Sequence, residues 1–225
     1  SIAHDLRAPL RAMSGFSELL AQEIGADLYP QAKDYAERIQ QSAARMDNLI
    51  NDLLQYGRLN TIDLPVQEVD LEKVFAEVRH QLASEIERCQ AQIVKKGTLP
   101  RVFGNRVVLQ VALANLLSNA IKFVPPQTRP KIILRPEIRQ DYLRIWIQDN
   151  GIGIAPENLG KIFGVFQRLH KQDTYPGTGI GLALVSKGLE RIGGRVGVES
   201  EIGRGSRFWM ELKQFERAPA PRQLP

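Results

Sequence analysis

Along the first sixty residues the apolar positions follow a helical step. Leu6, Leu10, Met13, Phe16 (or Leu20) and Ile24 recur every three or four residues, which predicts a helix with one buried stripe. The stretch "GADLYP", with Gly25, Asp27 and Pro30, interrupts that pattern. Beyond it Ile39, Ala43, Met46, Ile50, Leu53 and Gly57 repeat as a heptad up to Leu59, predicting a second helix folded back on the first. Two helices with so narrow a seam cannot cover their apolar stripes alone. The expectation is a four-helix bundle made by two chains, hence a homodimer. At about 1.5 Å per residue the helices span about 36 Å and 43 Å, so the second overhangs Ser1 and leaves Leu53, Leu54 and Tyr56 without partners. A first helix that begins further upstream, behind some other domain, is therefore expected.

Past "LNTIDLPVQEVD" the pattern changes from a helical pair to mixed helix and strand. "VQEVD" reads as a strand, Leu71 to Arg88 as a helix, "AQIVKK" as a strand and Asn105 to Phe123 as a long apolar helix. Strands follow at "KIILRPEI" and "YLRIWIQD". A glycine-punctuated stretch from Gly151 to Gly177 leads into a helix over roughly Ile180 to Ile192, then strands at "RVGVES" and "SRFWMEL". The sum is an α+β multidomain chain: an antiparallel helical hairpin, then an α/β sandwich with helices on one face of a mixed sheet. The expected boundaries are 1–60 for the hairpin, 61–70 for a linker and first strand, 71–215 for the sandwich, and 216–225 for a Pro-rich disordered tail.

With 225 residues, 43% of them hydrophobic, the chain has ample material for a packed core. No run approaches the roughly 18 apolar residues of a membrane span, and no signal-peptide layout opens the chain, so no direct membrane contact is expected. Cys89 is the only cysteine, which excludes an internal disulfide and a cysteine metal cluster. That suits a reducing compartment, and a cytoplasmic location is expected. The net charge of +5 is uneven: residues 1–60 carry six Lys/Arg against eight Asp/Glu, and residues 61–225 carry 24 against 17. The basic second part suits a polyanion such as a nucleotide. No Lys/Arg run is interleaved with aromatics, so nucleic acid is not an expected partner.

Three motifs in the second part carry chemistry. In "YLRIWIQDNGIGI", Leu143, Ile145, Ile147 and Asp149 share one strand parity, so Asp149 projects from the face that makes the core. A carboxylate there is costly unless something donates to it. Gly151 and Gly153 follow, and such glycines let a ligand ring approach the backbone, although an Asp-Asn-Gly turn is also an ordinary strand ending. In "ANLLSNAIKF", Asn115, Asn119 and Lys122 fall at i, i+4 and i+7 on one face of an apolar helix, where amides and an ammonium could serve Mg²⁺ and phosphate oxygens or simply face solvent. In "YPGTGIGLALVSKGLERIGG", Gly177, Gly179 and Gly181 precede and open a helix, leaving backbone N–H groups free for phosphates. The spacing is not the dinucleotide fingerprint, and no P-loop exists in the chain.

Their order along the chain, the helix with two asparagines, then Asp149 with Gly151 and Gly153, then Phe163 and Phe166, then the Gly177–Gly181 motif and "GRGSRF", resembles the catalytic core of sensor histidine kinases. "HDLRAPL" upstream completes the likeness, which covers Ser1 to about Phe215 and joins a dimerization and phosphotransfer domain to a GHKL-type ATP-binding domain. The wording "FQRLHKQDTYPGTGIGLA" is similar to kinases found behind phytochrome and PAS sensors. The resemblance implies an ATP-dependent autokinase of a two-component system. His4 would be the phosphoacceptor, with Asp5 holding the ring tautomer and accepting the proton. Asp149 would accept from the adenine amino group, with Gly151 and Gly153 against the ring. Asn115 would ligate Mg²⁺, and Asn119 and Lys122 would meet metal-bound water or phosphate. Gly177, Thr178, Gly179, Gly181 and Leu182 would close on the phosphates, with Arg168 contacting them. The implied partners are a second copy, an upstream sensor domain and the receiver domain of a response regulator, whose aspartate takes the phosphoryl group.

One departure stands out. Four residues beyond the histidine many relatives carry Thr or Asn, thought to orient the water that dephosphorylates the regulator. Here the residue is Ala8, whose methyl cannot do so, and a poor phosphatase is expected. Two alternatives remain open at this level. Gyrase-, MutL- or Hsp90-type ATPases use a glutamate base near the asparagine, but no Glu lies on the Asn115 helix, where Gln110 and Val111 precede it. A non-catalytic dimeric scaffold would be expected to have lost one of the motif residues.

Overall fold

The computed structural model of the chain describes residues 2–23, 30–139, 142–169, 175 and 177–214, and at residues 2–9, 21–23, 30–33 and 60 it describes the backbone alone. The chain divides into two compact units, Ser1–Thr61 and Ile62–Pro225.

The first unit is a hairpin of α1 (Ile2–Glu23) and α2 (Pro30–Thr61). Pro30 stands at the first residue of α2, where its missing N–H costs nothing and its fixed φ suits a helix start. The side chains buried here among the described residues are Leu10, Ser17, Ala36 and Ala43. Three of these are small, and small residues let two helix backbones approach closely. Apart from Leu10, most large members of the expected stripe behave otherwise. Met13, Phe16, Leu20, Ile39, Met46 and Leu53 are exposed in the single chain, so one chain alone does not bury the stripe that the periodicity predicts.

The second unit holds two sheets. β1 (Gln67–Asp70) pairs antiparallel with β3 (Arg101–Gly104). The larger sheet comprises β2 (Gln92–Lys95), β4 (Lys131–Arg139), β5 (Tyr142–Gln148), β6 (Arg195–Glu201) and β7 (Gly205–Lys213), in the order β2-β4-β5-β7-β6. Only the β2–β4 pairing is parallel. Three helices, α3 (Leu71–Gln81), α5 (Arg106–Lys122) and α6 (Gly181–Arg191), supply the other layer. β1 thus belongs to this unit, and the expected helix over 71–88 is two helices, with α4 (Ala83–Arg88) after a break at Leu82. No proline or glycine marks that break; Leu82 leaves helical geometry at φ −90°, ψ 7° with its side chain buried.

The core sits between the helices and the larger sheet. α5 buries Val108, Leu109, Ala112, Leu113, Leu116, Leu117, Ala120 and Ile121, alternating steps of one and three that make a broad apolar face. From the sheet, Ile132 and Leu134 of β4, Leu143, Ile145 and Ile147 of β5, and Met210 and Leu212 of β7 are inaccessible or nearly so. The two-residue parity of β5 then carries Asp149 onto this same inner side.

Candidate active site

Asp149 follows the last residue of β5 and is 9% exposed. Its Oδ1 accepts from the backbone N–H of Gly151 at 2.8 Å and of Ser206, at the start of β7, at 2.9 Å. Oδ2 has no partner among the described residues and is the atom left for a ligand. Burial raises the carboxyl to about 6, against the lowering effect of the two backbone donors. Ser206 is a residue the sequence reading does not single out; its signal was the "GRGSRF" stretch, whose Gly205 lets the chain press against Asp149.

The glycines after Asp149 have structural duties of their own. A Cβ on Gly151 would lie 2.3 Å from the carbonyl oxygen of Phe123, the residue that ends α5. Gly153 has φ +74°, and its Cβ would lie 2.0 Å from the carbonyl oxygen of Glu201. Room for a ligand ring is therefore not needed to explain either residue; the packing of the protein's own backbone already requires both.

The three polar residues of α5 line up as their spacing predicts, and the glycine loop meets them. Asn115 donates from Nδ2 to the carbonyl oxygen of Val111 at 2.9 Å, which turns Oδ1 away from the helix. That oxygen lies 2.3 Å from where a Cβ on Gly181 would be, so a side chain at the start of α6 would push the Asn115 amide aside. Lys122 donates to Asn119 Oδ1 at 3.3 Å, and its Nζ lies 3.0 Å from the Cβ position of Gly177. Gly179, at φ +75°, packs against Arg168 and Gln167. Thr178 accepts from the N–H of Ile180 at 3.3 Å, while Leu182 is half-buried in the first turn of α6. The structure thus assembles Asn115, Asn119, Lys122, Arg168 and the loop from Gly177 to Gly181 at one place.

Charge in this cluster is partly buried. Desolvation pulls Lys122 down to about 8, Arg168 pulls the same way, and Glu85 opposes both. Glu85 comes from α4, and its two carboxylate oxygens accept from the Ser118 hydroxyl at 3.4 and 3.3 Å. No glutamate lies on α5 itself, yet a carboxylate reaches its polar edge from a neighbouring helix, a placement no local spacing signals. The Lys122 ammonium also lies 4.2 Å from the ring centroid of Phe123. Tyr175 stacks against that ring at 5.3 Å and donates from its hydroxyl to the carbonyl oxygen of Val124 at 3.0 Å. It ties the loop to the end of α5 and was also absent from the sequence reading.

Residues 104–216 match the family described as histidine kinase-, DNA gyrase B-, and HSP90-like ATPase. The chain belongs to that family. Its residues 1–62 match a second one, the His Kinase A (phospho-acceptor) domain, so the ATPase fold follows a phosphoacceptor hairpin. Among relatives, the chain is 34% identical over 210 residues to "Phytochrome-like protein Cph1" of Synechocystis, spanning 93% of this chain and 28% of that protein. It is 30% identical over 231 residues to "Phosphate regulon sensor protein PhoR" of Pseudomonas aeruginosa, spanning 100% of this chain and 51% of that protein. It therefore spans about half of one relative's length and less than a third of the other's. Among solved structures, full-length ShkA in complex with AMPPNP aligns with a TM-score of 0.71 at 28% identity, over 94% of this chain and 44% of that one. The histidine kinase ThkA in complex with the response regulator protein TrrA shares the fold, at a TM-score of 0.67 and 21% identity, over 95% of this chain and 60% of that one.

His4, Asp5 and Ala8 lie on α1, and their side chains fall outside the described ones. The expected tail at 216–225 lies outside the described residues altogether. No helix among the described residues is long and apolar enough to cross a membrane. The donor set suits Mg²⁺. Among the described residues Asn115 Oδ1 has no hydrogen-bond partner, and no cluster of three or more His, Cys, Asp or Glu is present. One protein oxygen completed by phosphate and water is a common Mg²⁺ arrangement.

Proposed function

We propose that this chain is the catalytic core of an ATP-dependent protein histidine kinase that phosphorylates its own His4 and passes the phosphoryl group to an aspartate of a response regulator. The observation that carries this reading is the meeting of the Gly177–Gly181 loop with Asn115 and Lys122, on a chain whose first helix bears a histidine followed by an aspartate. In it, Asp149 Oδ2 accepts from the adenine amino group, and Oδ1 stays fixed by Gly151 and Ser206. Lys122 and Arg168 offer positive charge to the phosphates, Asn119 orients Lys122, and Thr178, Gly179 and Leu182 shape the wall that faces them. Asn115 would hold Mg²⁺, which would supply neutralising charge to the phosphate oxygens.

The chemistry is a displacement at the γ-phosphorus. An imidazole nitrogen of His4 forms the new N–P bond, the bond to the β-phosphate bridging oxygen breaks, and ADP leaves. The proton lost from the ring passes to Asp5. The phosphohistidine then yields the group to a carboxylate of the receiver domain, forming an acyl phosphate and restoring the imidazole. Positioning and charge stabilisation supply most of the rate in such transfers, and the residues above supply both. A homodimer is part of the proposal, because the exposed Met13, Phe16 and Leu20 of α1 and Ile39, Met46 and Leu53 of α2 need a cover that one chain lacks. An upstream sensor domain and a cytoplasmic location complete it.

The test incubates the chain with Mg²⁺ and γ-labelled ATP beside His4→Ala and Asp149→Asn variants. Expected is protein-bound label that survives base and is lost in acid, present in the wild type and absent from both variants. A wild type that binds ATP yet takes no label would make the chain a nucleotide-binding scaffold instead.

A further inference from the structure

The chain enters its second unit through Ile62, Asp63, Leu64 and Pro65, directly after α2 ends at Thr61. Two side chains grip the carbonyls of this short segment. Arg191, the last residue of α6, donates from Nη2 to the carbonyl oxygen of Ile62 at 2.9 Å. Asn105, which caps α5, donates from Nδ2 to the carbonyl oxygen of Pro65 at 3.1 Å. Asn105 is 8% exposed, and its Oδ1 at the same time accepts from the N–H groups of Val107 and Val108 at 3.1 and 3.3 Å. These are the two helices that build the nucleotide site: α5 carries Asn115, Asn119 and Lys122, and α6 opens at Gly181 beside Asn115.

We propose that Arg191 and Asn105 are positioning residues for phosphoryl transfer to His4, clamping the segment that joins the phosphoacceptor hairpin to the ATP-binding unit. The inference rests on the kinase reading above. A tether of free residues dilutes one reactant around the other, whereas a tether fixed at its first peptide restricts the arrangements to be searched and raises the effective concentration of the histidine. Arg191 acts at the first residue after α2 and Asn105 at Pro65, two residues before β1, so the connection is held near both of its ends. Because the grips belong to α5 and α6, any shift between those helices on nucleotide binding pulls on the connection as well.

The whole chain serves for the test, with the KM and kcat of autophosphorylation measured beside the affinity for ADP. Asn105→Asp keeps the oxygen that caps α5 and replaces the amide donor with an acceptor facing Pro65. Arg191→Met removes the donor and keeps the aliphatic stem, and Arg191→Lys restores one donor. Expected is a fall in kcat of about tenfold in Asn105→Asp and in Arg191→Met, with KM for ATP and the ADP affinity within about twofold of wild type, and partial recovery in Arg191→Lys. Unchanged kcat in both variants overturns the clamp. So does a parallel fall in kcat and ADP affinity, which marks a merely structural role. A wild type that takes no label defeats the kinase reading and the clamp with it, whereas labelled wild type and equally labelled variants defeat the clamp alone.

Discussion

Phe16 of the hairpin is 71% exposed, while Asp149 of the ATP-binding unit is 9% exposed. Each is the reverse of what a lone soluble domain favours. The hairpin keeps small residues inside and turns Met13, Phe16, Leu20 and Met46 outward; the second unit packs eight apolar residues of α5 inside and draws a carboxylate and an ammonium in with them. An exposed apolar row is relieved by a matching apolar row. A buried charge with one free oxygen is relieved by a polar ligand that donates to it. The two units thus call for different complements, an apolar cover for the first, which the proposed dimer would supply, and a polar ligand such as a nucleotide for the second.

The largest effect is expected where the comparison is easiest to break, at the hairpin. Phe16→Asp places a charge in the seam of a proposed dimer that contains two copies of it. Losing two buried phenylalanine side chains costs about 3–6 kcal/mol per dimer, taking roughly 1.5–3 for each. Sedimentation should then report a monomer at micromolar concentration. Trp146 and Trp209 are the chain's only tryptophans and both lie in the second unit, so the fluorescence-detected unfolding of that unit should not change. A dimer that survives the substitution would mean that the exposed row is not the seam.

At Asp149 the expected effects have opposite signs for folding and for binding. Its carboxyl sits near 6 in the folded chain against an ordinary 3.8. A raised folded value means that the contribution to stability is fully present below about 4 and is lost as pH rises through 6. At pH 7.5 the ionised group therefore costs roughly 2–3 kcal/mol. Asp149→Asn keeps an oxygen for Gly151 and Ser206 and removes that cost, so urea unfolding at pH 7.5 should show a more stable protein, with the advantage shrinking towards pH 4.5. Nucleotide affinity should fall at the same time by about tenfold to a hundredfold, because an amide donor now faces the adenine amino group. A variant that loses stability and binding together would make Asp149 an ordinary structural residue.

Asp149 was legible because a period of two ties its direction to Leu143, Ile145 and Ile147, and Asn115, Asn119 and Lys122 were legible because a period of 3.6 puts them on one face. Local periodicity also yields both hairpin helices and all five strands of the larger sheet. It misses β3, whose four residues are too short to set a pattern and whose partner β1 lies more than thirty positions earlier. It misses the break at Leu82, which no helix breaker announces. It also runs out at Glu85, Ser206, Tyr175 and Arg191. Each meets its partner across a long stretch of chain, and only the folded topology brings the two together. The outward turn of Phe16 was anticipated, because two helices with so narrow a seam were not expected to cover their apolar stripes alone.

The finest test asks whether the buried ammonium is tuned by its neighbours or merely tolerated. Lys122 sits near 8, lowered first by burial and then by Arg168 from the loop, and held up by Glu85 from α4; the Phe123 ring and the Asn119 amide complete its surroundings without a charge of their own. Glu85→Gln keeps an acceptor for the Ser118 hydroxyl and removes only the negative charge. With the opposing influence gone, Lys122 should lose its proton at lower pH, and the alkaline limb of ATP binding should move down by a fraction of a pH unit. At pH 8.5 the variant should bind about two- to threefold more weakly than wild type, while at pH 7, where Lys122 is protonated in both, the affinities should match or the variant should bind slightly better for lack of a repelling carboxylate. Calorimetric titration with ATP across that range separates the cases. Equal weakening at every pH would mean that Glu85 holds α4 against α5 and leaves the charge of Lys122 alone.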